Sequence, residues 1–350
     1  MDKQKKILIF ELNWLGDILF SFPFLRALKE RDKESHIACA VVPRYAGLLS
    51  ENPFVDEVYL LSDRRGFFSF FEKLFFVLKI KKEKYDTCFF LKSSNSKGMM
   101  AVSAGIHDLI GFKGKKTKLT TEVDDVGVNV HRAERIFALA EAVGIKGTGI
   151  KYEYSVSEKN IKKADEIIKN KRNSGNYLIG IHPGGNWDEK RWDKEKFVGL
   201  IKRILENLND ADIIITGGKK DKDLARYISD RVKDERCYTL AGETSLEELA
   251  GLFKKCRVIV SADSGPLHLA SAVGACTIGL FGPTSYKITG QIGRGKNVFI
   301  SSEDKIECRV PCYTENCVLG KKCMDLITVD EVFEAVAREV NGEKLRGHRQ

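Results

Sequence analysis

Short apolar runs alternate with longer amphipathic stretches along the whole chain. The first apolar run, Ile7–Phe10, predicts a strand over residues 7–11, and residues 18–28 then place Ile, Leu and Phe at helical spacing. Further strands are predicted over 36–42, 55–61 and 85–91, and an amphipathic helix that ends at a glycine is predicted over 131–144. Strands that alternate with helices through short connections predict an α/β fold with a parallel sheet covered on both faces.

A second series of the same kind follows a polar segment at residues 158–176, which predicts a charged helix and a turn. Its strands are predicted within 177–182, 211–218 and 258–262, each followed by a loop and a helix. Because the pattern repeats in two halves, we place a linker near residues 150–175. The predicted organisation is an N-terminal domain, a C-terminal domain, and a C-terminal helix and tail, over residues 1–160, 175–330 and 331–350.

Length and composition agree with this organisation. A chain of 350 residues exceeds one ordinary core, so two domains are expected. Hydrophobic residues at 43% and charged residues at 31% exclude the disordered, collagen-like and coiled-coil classes. The net charge of +9 is compatible with nucleic acid, an anionic membrane surface or a phosphorylated substrate as partner, and does not choose among them.

The N-terminus and the cysteines predict a cytoplasmic protein. The apolar run at the N-terminus is interrupted by Glu11, Asn13 and Asp17, which a signal peptide would not tolerate, and no stretch reaches the ~18–20 apolar residues of a spanning helix. Nine cysteines is an odd number, and five lie at apolar or strand-like positions typical of reduced, buried thiols. These five are Cys39, Cys88, Cys237, Cys256 and Cys276.

Ligands of open α/β sheets bind beyond the carboxyl ends of the strands, so the loops there are the candidates for chemistry. The loop over residues 13–17 has Gly16 alone where a dinucleotide fingerprint needs three glycines, which argues against an NAD site. Asp17 begins the following helix. Its carboxylate could interact with the helix dipole, or it could act as a general base.

Two loops of the second half resemble anion sites. In residues 182–191 a strand is followed by two adjacent glycines and the cations Lys190 and Arg191, which favours phosphate binding over a solvated charged turn. In residues 261–268 a Ser-Gly-Pro sequence precedes a helix, so free backbone N–H groups could bind an anion. Taken alone, Asp263 could be a helix cap and His268 a buried polar residue. The glycine turns at 217–218, 242–244 and 282–284 are ordinary when taken singly.

Several stretches together resemble glycosyltransferase family 9, the ADP-heptose lipopolysaccharide heptosyltransferases. The matching segments keep the family's order and span almost the whole chain, at residues 7–30, 180–197, 240–284, 308–317 and 321–336. The resemblance implies the GT-B architecture, in which two Rossmann-like domains with parallel sheets face each other across a cleft. It further implies an inverting, metal-independent transfer of heptose from ADP-heptose to the lipopolysaccharide inner core, with no cofactor.

The resemblance also carries residue roles onto this chain. Asp17 matches the general base and Lys190 the lysine that meets the donor phosphates, while Thr244 lies in the turn that resembles the adenine contact. Part of the family has hydroxyl side chains where this chain has Pro183-Gly184-Gly185, which leaves phosphate contact to the backbone here. The other predicted donor-binding residues are Thr216, Gly217, Gly242, Asp263, Ser264, Gly265 and His268. Acceptor contacts are predicted on the N-terminal domain, at Asn13, Ser94, Lys97 and Arg132.

Two segments stay open to more than one interpretation. Cys308, Cys312, Cys317 and Cys323 lack the paired C-x2-C spacing of common zinc sites, so reduced or disulfide-linked thiols in a loop are favoured over a structural metal. Residues 66–84 place six Phe beside several Lys. Such a helix could lie in a membrane interface, or it could pack on the N-terminal sheet.

The expected partners are a nucleotide-sugar donor and a lipid-linked glycan acceptor, with peripheral contact at the inner membrane. Nucleic acid is not expected, because no nucleic-acid motif accompanies the basic residues. Two alternatives remain at this point. One is a GT-B-type transferase or epimerase that uses another nucleotide sugar. The other is a sugar-nucleotide-binding protein without catalysis.

Overall fold

The chain divides into two compact units, Met1–Tyr152 and Glu153–Gln350. The computed structural model describes residues 4–62, 67–114, 118–146, 149–171, 177–312, 314, 317–320 and 322–347. The division falls at the N-terminal edge of the segment in which the sequence places the linker. Residues 331–350, which the sequence sets apart as a helix and tail, belong to the second unit.

The first unit is built on a six-stranded sheet whose described strands all pair in parallel. Its strands are β1 Lys6–Phe10, β2 His36–Val41, β3 Glu57–Leu60, β4 Thr87–Phe90, β5 Asp108–Phe112 and β6 Thr121–Val123. Its helices are α1 Leu15–Arg31, α2 Ala46–Ser50, α3 Phe67–Glu83, α4 Asn95–Ser103 and α5 Arg132–Glu141. The order across the sheet is β3-β2-β1-β4-β5-β6.

The second unit repeats this plan. Its strands are β7 Tyr177–His182, β8 Ala211–Ile215, β9 Cys237–Thr239, β10 Cys256–Ala262, β11 Cys276–Phe281 and β12 Asn297–Ser301. Its helices are α6 Glu158–Lys171, α7 Lys194–Asn207, α8 Lys222–Val232, α9 Leu246–Lys255, α10 Gly265–Ala272, α11 Tyr286–Thr289, α12 Lys322–Asp325 and α13 Val329–Gly347. The order β12-β11-β10-β7-β8-β9 is the order of the first sheet written from the other end.

Both strand orders reverse at one point, between β1 and β4 in the first unit and between β7 and β10 in the second. Chain connections leave the sheet in opposite directions on the two sides of such a point, which opens a crevice beyond the strand ends. The predicted α/β class is therefore confirmed in both units. The two reversal points also determine which loops lie next to a ligand crevice.

Helices at the start and the end of the second unit complete its packing. In α6, the Asn160 carbonyl oxygen would lie 2.4 Å from a Cβ built on Gly251 of α9, so only glycine permits this approach of the two helices. In α13, the side chains of Val332, Val336 and Val340 are fully buried in the core that α7 also lines. Residues 329–342 are therefore part of the domain core.

Local sequence explains where several predicted elements begin and end. The helix predicted over 131–144 starts after His131, whose Nδ1 accepts the Ala133 N–H as the N-cap, and the chain leaves it at Gly144 with a φ of +77°. The strand predicted over 55–61 begins two residues later, because the Val55 N–H is bonded to the Asn52 carbonyl in a turn.

Candidate active site

The crevice of the first unit is bordered by the loops after β1 and β4. The first loop leads into α1, and the second leads into α4, whose N-cap Ser94 accepts the Lys97 N–H. Three of the four predicted acceptor residues, Asn13, Ser94 and Lys97, lie on these two loops and at the start of α4. The fourth, Arg132, reaches the same region from the first turn of α5.

Asp17 lies in the first turn of α1, behind Trp14 at the N-cap. Its Oδ1 is 2.9 Å from Nη1 of Arg132, and its side chain keeps 18% exposure. The carboxylate is thus held in place by a cation from another helix, while one part of it stays open to solvent. Sequence reasoning placed both residues in the site but did not predict that they pair.

Next to the loop after β1 lies a buried carboxyl group, that of Glu11, which the sequence did not predict as part of the site. Glu11, 1% exposed at the end of β1, has Oε1 at 2.9 Å from the Ser21 hydroxyl, which is itself 2.7 Å from the Ile18 carbonyl. The Lys97 ammonium donates to the Glu11 main-chain carbonyl at 2.9 Å. Burial raises the pKa of Glu11 to about 7, against the hydrogen bonds of Ser21 and Leu12, and burial lowers the pKa of Lys97 to about 8.

A test of this cluster is the substitution Glu11→Gln. The folded protein holds the Glu11 proton more tightly than the unfolded chain, so stability falls as pH rises from about 4.5 to about 7 and the loss is complete above that. The full effect is roughly 3 kcal/mol, and Gln abolishes it. We expect the variant to gain roughly 2–3 kcal/mol over the parent protein between pH 5 and pH 8, measured by urea unfolding.

The stabilities of the variant and the parent protein are compared at each pH, because a residue of the second unit changes stability with pH in the opposite direction. Burial lowers the pKa of His182 to about 4, which makes the whole protein more stable as pH rises from about 4 to 6.5, equally in both variants. The exposed Glu122→Gln is the matched control and should leave the pH profile unchanged. A Glu11→Gln profile parallel to that of the parent would contradict a raised pKa.

The crevice of the second unit contains a partly buried ion pair. Lys190, in the 3-10 turn Asp188–Lys190 after β7, places Nζ 2.8 Å from Oδ2 of Asp263, which follows β10 and is 6% exposed. Thr289 of α11 donates to the same carboxylate at 3.2 Å, and His268 Nε2 lies 3.5 Å from its other oxygen. Burial alone would raise the pKa of Asp263, but Lys190 and His268 hold it well below its ordinary value.

The N-terminus of α10 adjoins this pair. Ser264 is its N-cap, with the hydroxyl accepting the Leu267 N–H, and Pro266 occupies the first turn. The interpretation of Asp263 as the cap is therefore wrong, because the neighbouring serine fills that position and frees the carboxylate for Lys190. His268 is buried one turn into α10 and faces Asp263. Of the residues predicted from this loop, Asp263 and His268 thus share one polar cluster.

The glycine-rich loop after β7 is held from two sides. Arg191 donates to the Gly185 carbonyl through Nη2 at 2.8 Å and Nε at 3.2 Å, so this cation stabilises the loop itself. A Cβ on Gly184 would lie 2.9 Å from the Asp221 carboxylate, which accepts the Gly218 N–H. Asp221, 4% exposed, is a residue that sequence reasoning missed. The sequence predicts a phosphate contact for Arg191, and that contact stays a prediction.

The remaining predicted donor residues lie on adjacent strand ends. Pro183 is buried, and Thr216 is 1% exposed with its hydroxyl 3.0 Å from His182 Nδ1. Gly242 has a φ of +72° and donates to the Gly217 carbonyl at 2.8 Å, which joins two turns that looked unrelated in the sequence. Thr244 follows, half-buried. Direct contact of these residues with a donor stays a prediction.

The four C-terminal cysteines, Cys308, Cys312, Cys317 and Cys323, line one pocket together with Glu189, the neighbour of Lys190. None of the nine cysteines, all of which lie within the described ranges, forms a disulfide. In the part of the chain that the structure describes, no group of three or more His, Cys, Asp or Glu side chains is placed to hold a metal ion. The Cys312 N–H donates to the Pro283 carbonyl at 2.7 Å, which attaches the cysteine loop to the turn after β11.

Comparison with known proteins is consistent at the level of family and fold. The model of glycosyltransferase family 9 (heptosyltransferase) matches residues 76–321. Lipopolysaccharide heptosyltransferase 2 of Salmonella typhimurium is 27% identical over 300 residues, 81% of this chain and 84% of that protein. Lipooligosaccharide heptosyltransferase 2 of Campylobacter jejuni is 25% identical over 350 residues, 95% of this chain and 98% of that protein.

Solved structures share the fold. The E. coli ADP-heptose lipopolysaccharide heptosyltransferase II superposes with a TM-score of 0.79 at 22% identity, covering 97% of this chain and 99% of that one. The family 9 glycosyltransferase of Veillonella parvula gives 0.81 at 19% identity, covering 98% and 99%. Since the family model covers more than half of the chain, this protein belongs to glycosyltransferase family 9 and is a glycosyltransferase enzyme.

Proposed function

We propose that this enzyme transfers heptose from ADP-heptose to a lipid-linked acceptor of the lipopolysaccharide inner core, with inversion at the anomeric carbon. The observation that carries the proposal is the pair of the half-buried Lys190 with the buried Asp263, beside the glycine-rich loop and the start of α10. Relatives that align over most of their length are heptosyltransferases of lipopolysaccharide or lipooligosaccharide.

On the donor side, a diphosphate can replace Asp263 as the partner of the Lys190 ammonium. Lys190 is 20% exposed, so its charge can turn toward a ligand without a large rearrangement. The N–H groups at the start of α10 add a partial positive charge close by. Together they would stabilise the charge that develops on ADP as it leaves. Lys190 and the start of α10 would therefore supply the positive charge that a diphosphate leaving group needs, without a metal ion or cofactor.

On the acceptor side, Asp17 acts as the general base. It takes the proton of the acceptor hydroxyl as that oxygen forms a bond to the anomeric carbon, and the bond from this carbon to the ADP oxygen breaks on the opposite face. Attack opposite the leaving group inverts the configuration. Arg132 positions the Asp17 carboxylate, since the two are 2.9 Å apart and come from different helices.

The acceptor's chemistry suits the charge of the chain. An inner-core acceptor that carries anionic groups would be attracted by a net charge of +9, and Lys97 provides a half-buried cation beside the β1 loop. None of the helices within the described ranges is both long and apolar enough to cross a membrane. We propose that the enzyme works in the cytoplasm, at the surface of the inner membrane.

The proposal is tested by incubating the protein with a panel of ADP-, UDP- and GDP-sugars and a de-acylated inner-core acceptor, and measuring nucleotide release and glycan mass. We expect ADP release and a mass gain of one heptose with ADP-heptose only, and an NMR coupling pattern that shows inversion. A different preferred nucleotide would overturn the donor assignment. Conversion of a nucleotide sugar without acceptor would indicate an epimerase, and binding without turnover a non-catalytic protein.

A further inference from the structure

One face of α3 leaves five large apolar side chains in solvent. Phe70, Phe71, Leu74, Phe75 and Leu78 are each between 41% and 67% exposed. We call these five residues the α3 apolar face. Singly exposed apolar residues are normal on a protein surface, but five within nine positions of one helix form a patch that marks a contact site.

The geometry of the helix separates this face from the core. At about 100° per residue, the five side chains fall within an arc of about 140°. Phe76 and Ile80 point to the opposite side and are buried, with the Phe76 ring 5.9 Å from Phe10 and 5.7 Å from Tyr59. The helix therefore has one apolar side packed on the sheet and a second whose five large side chains keep 41–67% exposure. The predicted packing of this segment on the sheet is confirmed for Phe76 and Ile80, and its contact with a membrane interface stays a prediction.

Cations lie at the C-terminal end of the same face. Lys81 and Lys82 are exposed, and the helical period places them at about 20° and 120° within the arc of the apolar residues. Lys79 is exposed at the edge, with Nζ 4.5 Å from the centre of the Tyr59 ring and 3.4 Å from Glu57. The acid Glu83 is turned away to Lys6, 2.9 Å distant. The face thus presents apolar side chains together with Lys81 and Lys82, and no acid among the described residues pairs with either lysine.

We propose that the α3 apolar face docks on an anionic lipid bilayer, with the Phe and Leu side chains in the headgroup region and Lys81 and Lys82 at the lipid phosphates. A helix with this distribution of apolar and basic residues lies in the plane of a bilayer interface. Anionic headgroups complement the lysines, whereas the same face of a second copy would offer them no described acidic side chain. The inference rests on the proposed function in one respect, namely that the acceptor is lipid-linked.

The position of the face fits that role. Helix α4 packs against α3 and exposes Met99 and Val102. The N-terminal end of α4 carries Ser94 and Lys97, two of the predicted acceptor residues. Within the first unit, the docking helix and the acceptor loop are therefore on neighbouring elements, so docking would bring that loop close to the lipid surface.

The test measures co-sedimentation of the full-length protein with vesicles of phosphatidylcholine, with and without 30% phosphatidylglycerol (about a third, to give an anionic surface). We expect binding to the anionic vesicles only. The double variant Phe70→Ser with Phe75→Ser should weaken it about tenfold or more, because both side chains would lose apolar burial. Lys81→Glu with Lys82→Glu should weaken it to a similar extent and remove its salt dependence.

The matched control is Val128→Ser, which also removes an exposed apolar side chain of the first unit, at 75% exposure, and should bind as the parent does. Unchanged binding of both double variants would overturn the proposal. A second outcome would also overturn it. In that outcome the parent protein does not bind vesicles but forms dimers, measured by light scattering, and the Phe double variant does not form them.

Transfer to the de-acylated, water-soluble acceptor separates this proposal from the proposed function. The Phe double variant should keep the parent's rate with that acceptor, since none of its substitutions lies in the crevice. If the protein transfers heptose but does not bind vesicles, the docking proposal alone would be overturned. One that binds anionic vesicles but transfers nothing would overturn the proposed function and leave docking in place.

Discussion

The substitution Asp17→Asn is expected to lower the rate of transfer by about 10²–10⁴-fold and to leave donor affinity nearly unchanged. Asn has the same shape as Asp and fits beside Arg132, but it cannot accept a proton from the acceptor hydroxyl. The measurement is steady-state turnover with saturating donor and acceptor, combined with calorimetric titration of ADP. A variant that retained more than about a tenth of the parent's turnover would remove Asp17 from the role of general base.

Asp17→Asn also breaks an ion pair, so a second variant is needed to separate the two effects. Arg132→Gln removes the same 2.9 Å pair and keeps the carboxylate. We expect this variant to lose less turnover than Asp17→Asn, because the proton acceptor remains and only its positioning is weakened. Equal losses in both variants would mean that the ion pair, and not proton transfer, is what Asp17 contributes.

The substitution Lys190→Ala is expected to raise the dissociation constant of ADP about 10- to 100-fold and to lower turnover as well. A charge-assisted hydrogen bond to a phosphate is worth about 1.5–3 kcal/mol, which corresponds to that range. Calorimetry with ADP is the direct measurement. Lys194→Ala, four residues further on and also cationic, is the matched control, because its ammonium lies 3.9 Å from the Tyr227 ring and not beside Asp263.

The same substitution leaves Asp263 buried without its ammonium partner. Removing one member of a fully buried ion pair costs about 3–5 kcal/mol. Lys190 is 20% exposed, so Lys190→Ala is expected to lose part of that amount and to melt at a lower temperature. The double variant Lys190→Met with Asp263→Asn should recover much of this stability and none of the ADP affinity. An unchanged ADP dissociation constant in Lys190→Ala would contradict the phosphate role whatever happened to stability.

Strands and helices could be predicted from the sequence because their signals are local. The apolar run Tyr177–His182 coincides with β7, and the 3.6-residue spacing of apolar side chains after Leu15 coincides with α1. Strand order could not be predicted in this way, since the residues of a strand do not determine which neighbouring strands it pairs with. The reversal points, and with them the two crevices, entered only through the family resemblance and the structure.

Candidate site residues were predictable where they adjoin a strand end, as with Asp17, Lys190 and Asp263. Their partners were not, because each partner comes from a distant part of the chain. Thr289 reaches Asp263 from a four-residue helix that follows a turn of ordinary composition. Arg191 is a further case, since its charge predicts a ligand contact, which stays a prediction, but not the bond that its side chain makes to the Gly185 carbonyl.

The helices α6 and α13 limit how this chain can be divided for domain exchange. A fragment that began at residue 175, where the sequence places the second domain, would lack α6 and expose the surface of α9 around Gly251. One that stopped at residue 330 would remove the three buried valines of α13. A chimera that takes its second unit from a relative must therefore take the segment that matches residue 153 through the end of α13 as one piece.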